Sequence, residues 1–374
     1  MKFNVPSKTL HSYVSAVSKV ISGKNALAVL NNFLFTLKGD LLTIRASDME
    51  NSLVGRLPVA DSEGEGSFCL DARRIVDLLK ELPDQGVTFE VNDDNLEVEI
   101  TYPNGKFNTM ALSGAEYPIR EPEESEDSIK FTLEGAQLLH GIENTIFAVG
   151  ADDLRPQMMG IYWDVKPDQI VFVATDTRKL VTYTDRMIKT CIECSFILPY
   201  KPAAVIKNVF GAEEAVEVEL TQKGIIFTSP AYTLDCRQIE GKFPDYTRVI
   251  PKNNPYTLTV DRLSFLNAVR RVWLFGDSGQ GLVKFKLSAD NIVIRASDSG
   301  FGTSGVETVP CEFTGPEFTI GFSAPYLIDI FSTFTGSDVV MHMADATHPT
   351  LCLPAMQNPE SELLVLLMPM SFGG

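Results

Sequence analysis

Three stretches of this chain end a β-branched run in Ala-[Ser/Thr]-Asp: LTIRASD at 42–48, IVFVATD at 170–176 and IVIRASD at 292–298. Their aspartates, Asp48, Asp176 and Asp298, lie 128 and 122 residues apart. Self-similarity at one long spacing constrains a fold more than any local signal, because each copy must be the same structural unit. Other blocks fall into the same register. A short strand and an amphipathic helix open each copy: FNVPSKTLHSYVSAVSKVI from Phe3, FTLEGAQLLHGIENTIFAV from Phe131, and YTLTVDRLSFLNAVRRVWLF from Tyr256. Leu10, Val14, Val17 and Ile21, like Leu138, Ile142 and Ile146, keep the three-and-four spacing of a buried helix face.

After each repeated aspartate comes a second strand-and-helix block, FCLDARRIVDLLKEL from Phe68, FILPYKPAAVIKNVF from Phe196, and FTIGFSAPYLIDIFSTF from Phe318. The copies close on hairpin-like alternation, as in VTFEVNDDNLEVEI at 87–100 and AVEVELTQKGIIFTSP at 215–230. The polar, aperiodic EPEESEDS at 121–128 and PKNNP at 251–255 read as linkers. The fold class is therefore α+β: three tandem domains at 1–127, 128–252 and 253–374, each with two helices and many antiparallel strands.

Several function classes fall away. The N-terminal residues lack a basic and then apolar leader, and the longest apolar run, LLVLLMPM, is strand length, so no membrane role is expected. Among six cysteines only Cys191 and Cys194 form a CxxC, and no second pair or nearby histidine completes a zinc site. Reduced cysteines in a cytosolic protein are the reading. His11, His140, His342 and His348 are scattered, and SGFGTSG at 299–305 lacks the spacing of a dinucleotide loop. No metal, cofactor or catalytic residue is expected. The repeated aspartates, set in separate domains, fit local turn hydrogen bonding better than a shared acidic active site.

The net charge of −17 argues against nucleic acid unless the charge is unevenly placed. Helices are predicted at 7–21, 71–81, 132–147, 199–210, 260–275 and 323–335. Together they carry +3, leaving −20 on everything else. A surface made of these helices would be mildly basic beside an acidic exterior, suited to holding a polyanion loosely and without reading bases. Two readings stay open at this point. One is such a surface; the other is an acidic three-repeat scaffold that binds only proteins and never encircles DNA.

The three repeats, the block EGKFPDYTRVIP at 240–251 and the closing LLMPM at 366–370 resemble the bacterial sliding clamp family, the beta subunits of DNA polymerase III. The resemblance spans essentially the whole chain. It implies a DNA clamp fold in which two chains close head to tail into a ring, with helices lining the hole and sheets outside. It implies a non-catalytic processivity factor that slides on duplex DNA and tethers the replicative polymerase catalytic subunit. The clamp loader and other proteins with short clamp-binding peptides are further implied partners, in the bacterial cytoplasm at the nucleoid-associated replisome.

Site residues follow from the same resemblance. DNA-facing candidates are Lys24, Arg73, Arg74, Lys201 and Lys207, with Arg270 and Arg271 divided between DNA and the subunit interface. The partner-peptide cleft is carried over to Met158, Thr175, Thr177, Arg178, Leu180, Pro244, Arg248, Val249, Tyr326, Leu366, Leu367, Met368, Pro369 and Met370. Leucine and methionine make an adaptable apolar socket, and alternate residues of the LLVLLMPM run are expected to face core and cleft. The homodimer interface is assigned to Arg74, Phe107, Val272, Trp273, Leu274 and Phe275. Two departures stand out: Thr177 replaces the glycine common in the family, narrowing the cleft rim, and the chain runs on past Met370 as SFGG.

Overall fold

The structure, a computed structural model, describes every residue except Lys24, Ala26, 121–126, Lys223, Gly373 and Gly374. The chain divides into two compact units, Met1–Leu139 with Lys201–Gln238, and His140–Tyr200 with Ile239–Gly374. This division cuts through the middle repeat, and the sheets give the reason. In the first unit a nine-stranded antiparallel sheet takes five strands from the first repeat, from Leu112–Ser113 across to Asn51–Pro58. It continues through Tyr232–Arg237, Gly224–Thr228, Val216–Leu220 and Ile129–Leu133 of the second. A nine-stranded sheet in the second unit is built alike. Four strands come from the second repeat, ending at Lys179–Asp185, and five from the third, starting at Ser361–Leu367.

Two smaller sheets complete the units. The first unit holds a five-stranded sheet with edge strands Ala60–Glu63 and Gly105–Met110; the second holds a four-stranded sheet with edge strands Thr303–Pro310 and Phe318–Ser323. Register is set by the side chains facing the helices. At the joint between repeats Leu53 lies opposite Leu234 in one unit, and Val181 opposite Val365 in the other, all four with no exposure. A one-residue slip would turn each apolar set to the wrong face.

Every Ala-[Ser/Thr]-Asp ends one strand and heads the turn into the next. The Asp48 carboxylate accepts the backbone N–H of Glu50 and Asn51 at 3.0 and 2.7 Å. Asp176 accepts those of Arg178 and Lys179 at 2.9 and 2.8 Å, and Asp298 those of Gly300 and Phe301 at 2.8 and 3.1 Å. The preceding hydroxyl, Ser47 or Thr175, accepts the N–H of Met49 or Thr177 at 3.1 Å and donates to the carbonyl of Asn51 or Lys179. The aspartates are turn formers.

Six α-helices occur among the described residues: α1 (Ser7–Val17), α2 (Ala72–Glu81), α3 (Gly135–Glu143), α4 (Tyr200–Val209), α5 (Arg262–Trp273) and α6 (Ala324–Thr333). Asp71 and Asp261 cap α2 and α5 by accepting the N–H of Arg74 and Ser264, each at 2.8 Å. The expected apolar stripes are the buried ones, Leu10, Val14 and Val17 on α1 and Leu138 and Ile142 on α3. Phe265 of α5 packs edge-on against Phe285 and Phe331 in the second unit's core.

Several helices are shorter than periodicity predicts. The window 132–147 fails at both ends: Thr132 belongs to the strand Ile129–Leu133, and α3 stops at Glu143. There Asn144 and Thr145 turn their side chains back onto the carbonyls of His140 and Gly141, at 2.8 and 2.6 Å, competing with the helical ladder. The two cysteines of the CxxC lie in different settings. Cys194 opens a strand and burial pushes its thiol up to about 11, whereas Cys191 lies exposed in a turn with φ of 58°. Among the described residues no helix is long and apolar enough to cross a membrane.

Candidate functional site

In the second unit a cavity of about 430 Å³ opens beside the Asp176 turn. Met158, Thr175, Thr177, Leu180, Pro244, Val249, Leu366 and Met368, all named from the sequence, line it. So do Lys179, Phe243, Asp245, Tyr246 and Pro349, which stand outside the carried-over set. Its floor is made by adjacent strands, where Leu180 lies opposite Leu366 and Leu366 opposite Leu351. Alternation then decides what the cavity sees. Leu366 and Met368 face it, while Leu367 points to the other side of the sheet and has no exposure.

One wall is stiffened by aromatic stacking. Phe243 lies flat on Tyr162 with ring centres 4.8 Å apart, and Tyr246 donates its hydroxyl to the Asp164 carboxylate at 2.9 Å. Burial and that carboxylate push the Tyr246 hydroxyl well above its usual pKa, so it stays a donor. The prolines Pro244 and Pro349 limit the backbone on two further sides.

The rim is polar. Lys179, only 5% exposed, sits 3.4 Å from Asp176 and 3.8 Å from Asp329, with its ammonium 4.0 Å above the Tyr326 ring. Burial pushes the Asp329 carboxyl up, against the pull of Lys179. Tyr326 thus adjoins the cavity through Lys179 and is not part of its lining. Arg248 is exposed and ion-paired with Asp245 at 2.7 Å. Arg178 turns its side chain to solvent, and its carbonyl accepts the Met368 N–H at 2.8 Å. Pro369 and Met370 continue past the lining, half-exposed.

Thr177 has φ of 77°, a backbone conformation that glycine adopts freely and a β-branched residue adopts under strain. The bonds to Asp176 and Thr175 impose this turn on threonine here.

The basic residues have varied fates. Lys24 lies outside the described residues. Lys201 is engaged: its ammonium meets the Asp48 carboxylate, itself only 10% exposed, and lies 3.3 Å from the Ser22 hydroxyl. Arg73 projects into solvent on α2, and Lys207 is exposed on α4. Arg270 reaches the Ser332 hydroxyl at 3.0 Å, and Arg271 makes a two-pronged pair with Glu307 at 2.8 and 2.7 Å. Over the observed bounds the helices carry Lys8, Arg73, Arg74, Lys80, Lys201, Lys207, Arg262, Arg270 and Arg271 against Asp77, Glu81, Glu143 and Asp329. That net of +5 leaves −22 on the remainder.

Each unit also exposes apolar groups near a free sheet edge. In the first, Arg74, Phe107 and Thr109 border a hollow of about 560 Å³; Arg74 donates to the Thr109 hydroxyl at 3.4 Å, and Phe107 is 43% exposed. In the second, Leu274 and Phe275 just past the end of α5 are 78% and 49% exposed, while Val272 is buried and Trp273 half-buried.

Comparison with known proteins gives one answer along the whole chain. Family profiles described as the N-terminal, central and C-terminal domains of the DNA polymerase III beta subunit match residues 1–121, 132–245 and 247–371. The beta sliding clamp of Pseudomonas putida is 26% identical over 370 residues, covering 98% of this chain and 100% of that protein. The beta sliding clamp of Bacillus subtilis is 25% identical over 380 residues, covering 98% of each. The crystal structure of the DNA polymerase III subunit beta from Pseudomonas aeruginosa superposes with a TM-score of 0.89 at 26% identity, covering 100% of both chains.

Proposed function

This chain belongs to the DNA polymerase III beta subunit family, and on that footing we propose that two copies close head to tail into a ring around duplex DNA. It is a non-catalytic processivity factor that encircles DNA and tethers the polymerase. What the ring adds is how it closes, and the sheet count carries that reading. Both nine-stranded sheets are five strands of one repeat joined to four of another. The two sheets left over have five strands and four, each with an open edge, Gly105–Met110 and Thr303–Pro310. A third junction of the same kind, made with a second copy, removes both edges.

The register of that junction follows from the other two, where buried helix-side residues meet. Phe107 shares the helix-side face of its sheet through its partner Ile100, and Gly305 occupies the matching face of the other edge. Phe107 of one copy then lies against Gly305 of the other. Gly305 lies close against the end of α5, where a Cβ would come within 3.1 Å of the Val272 carbonyl oxygen and 3.5 Å of the Phe275 Cβ, so a side chain there would crowd this edge.

Within the ring three clamp domains, 1–127, 128–252 and 253–374, present their helices to the DNA. Arg73, Arg74 and Lys207 approach phosphates, while Lys201 spends its charge on Asp48. Few phosphate contacts suit sliding, because many tight ones would hold the ring in place. The cavity around Leu180, Leu366 and Met368 takes the clamp-binding peptide of the polymerase catalytic subunit, the clamp loader and other partners, in the bacterial cytoplasm. The test is topological: protein loaded on closed circular duplex should stay through gel filtration and leave when the circle is cut. Equal retention on both DNAs would overturn the ring.

A further inference from the structure

Each repeat ends by laying an aromatic ring back on one of its own sheets, and the third copy of this device bears on the cleft. In the first repeat Tyr117 packs with Leu34 and Cys69, which lie opposite each other on neighbouring strands. In the second, Phe243 stacks on Tyr162, whose opposite residue is Ile197. The matching pair in the third repeat is Lys284 and Gly321, and there Phe372 takes the aromatic's place. The Lys284 ammonium lies 4.7 Å from the Phe372 ring centre. Gly321 supplies the space: a Cβ on it would come within 2.7 Å of the ring and 2.9 Å of both the Leu282 side chain and the Met370 carbonyl oxygen.

The backbone repeats as well. Leu112 pairs with Cys69, Ile239 donates its N–H to the Ile197 carbonyl at 3.0 Å, and Met370 donates its N–H to the Gly321 carbonyl at 2.8 Å. What differs is the tether. The ring lies five residues beyond this contact in the first repeat, four in the second and two in the third. Two residues before Met370 stands Met368, which lines the cavity and is held to the Arg178 carbonyl.

We propose that Phe372 is a positioning residue of the peptide cleft. Docked between Lys284 and Gly321, it fixes the segment 368–370 so that Met368 and Met370 face an incoming peptide. Without the ring, that segment would have to be ordered at the moment of binding, and the entropy lost would lower affinity. The inference rests on the reading of the cavity as a peptide site.

Binding of the purified replicative polymerase catalytic subunit to the full-length chain tests it. Phe372→Ala should weaken binding about fivefold or more, Gly321→Ala should do the same by displacing the ring, and Phe372→Tyr should stay within about twofold of the parent. Hydrogen exchange at the Met370 amide should quicken in the two alanine variants and not in Phe372→Tyr. Retention on circular DNA should be unchanged in all three. Parent-like binding by Phe372→Ala, or an unchanged Met370 amide, overturns the inference. Met368→Ser separates the two failures: if it also binds like the parent, the cleft reading falls, and if it alone weakens binding, only the role of Phe372 falls.

Discussion

Replacing Phe107 by alanine is the sharpest test of how the ring closes. The ring is 43% exposed in the single chain, roughly 85 Å² of a phenylalanine's surface. Covering it at about 25 cal/mol per Å² stabilises one junction by about 2 kcal/mol. A head-to-tail dimer has two junctions, so the substitution acts twice, costing about 4 kcal/mol and raising the dimer dissociation constant about 1,000-fold. Sedimentation equilibrium over a range of concentrations reads that constant directly. Retention on circular DNA should fall in parallel, while the monomer's melting temperature should move far less, because Phe107 lies on an edge strand with much of its ring exposed in the single chain. Gly305→Val offers a check from the opposite strand, filling the space the ring needs. A shift below tenfold for Phe107→Ala, with Gly305→Val dimerising normally, would refute the register and the free-edge reasoning behind it.

Three further outcomes follow from the same structure. Thr177→Gly should raise stability by roughly 1 kcal/mol, seen as a higher unfolding midpoint, because φ of 77° strains threonine; Thr177→Ala, which keeps the Cβ, should give no such gain. Changing Met368 and Met370 together to serine should weaken polymerase binding at least tenfold with dimerisation intact, which paired binding and sedimentation measurements would show. Asp48→Asn should cost about 1–2 kcal/mol at pH 7, after discounting for the partly exposed Lys201. Burial raises the Asp48 pKa, but the bonds from Lys201 and Asn51 outweigh it and hold the carboxyl below its usual value. A depressed carboxylate stabilises above its unfolded pKa and loses that contribution as pH falls through the folded one. The parent's stability should therefore drop below about pH 4 more steeply than the variant's, and parallel acid titrations would contradict this.

The repeat was legible because it is written in spaced, local signals: a strand, a polar turn headed by Asp48, Asp176 or Asp298, and a helix with a buried stripe. Helix ends were less legible, since back-bonding by Asn144 and Thr145 competes with a periodicity that continues to Ile146. Part of the cavity lining was visible through the likeness to known clamps. The burial of Lys179 was not, because it depends on Asp329 and Tyr326, about 150 residues away in sequence. Phe243 and Tyr246 stood inside the quoted FPDY block, yet their stacking on Tyr162 and bonding to Asp164 are long-range facts. Lys201 shows the opposite limit. Its charge was plain, but only the fold reveals Asp48 beside it.

The sheets also explain why a chain of three similar repeats carries an apolar cleft at its second junction. The turn residues correspond: Ser47 pairs with Ser52 in the first repeat, as Thr175 pairs with Leu180 in the second. Across the first junction Ser52 meets Asp235, and Arg120 comes within 3.7 Å of that carboxylate. Across the second, Leu180 meets Leu366, and Phe243, Val249 and Met368 gather around them. The backbone scaffold is the same at both places. An aspartate facing serine beneath an arginine gives a polar plug, whereas two leucines facing each other leave an apolar floor that a peptide's side chains can cover. Burying leucine or phenylalanine on that floor is favourable by about 1.5–3 kcal/mol each, and on the polar plug it would strip water from a carboxylate instead. The repeat supplies the scaffold common to both junctions, and a few departures from the repeat supply the apolar cavity.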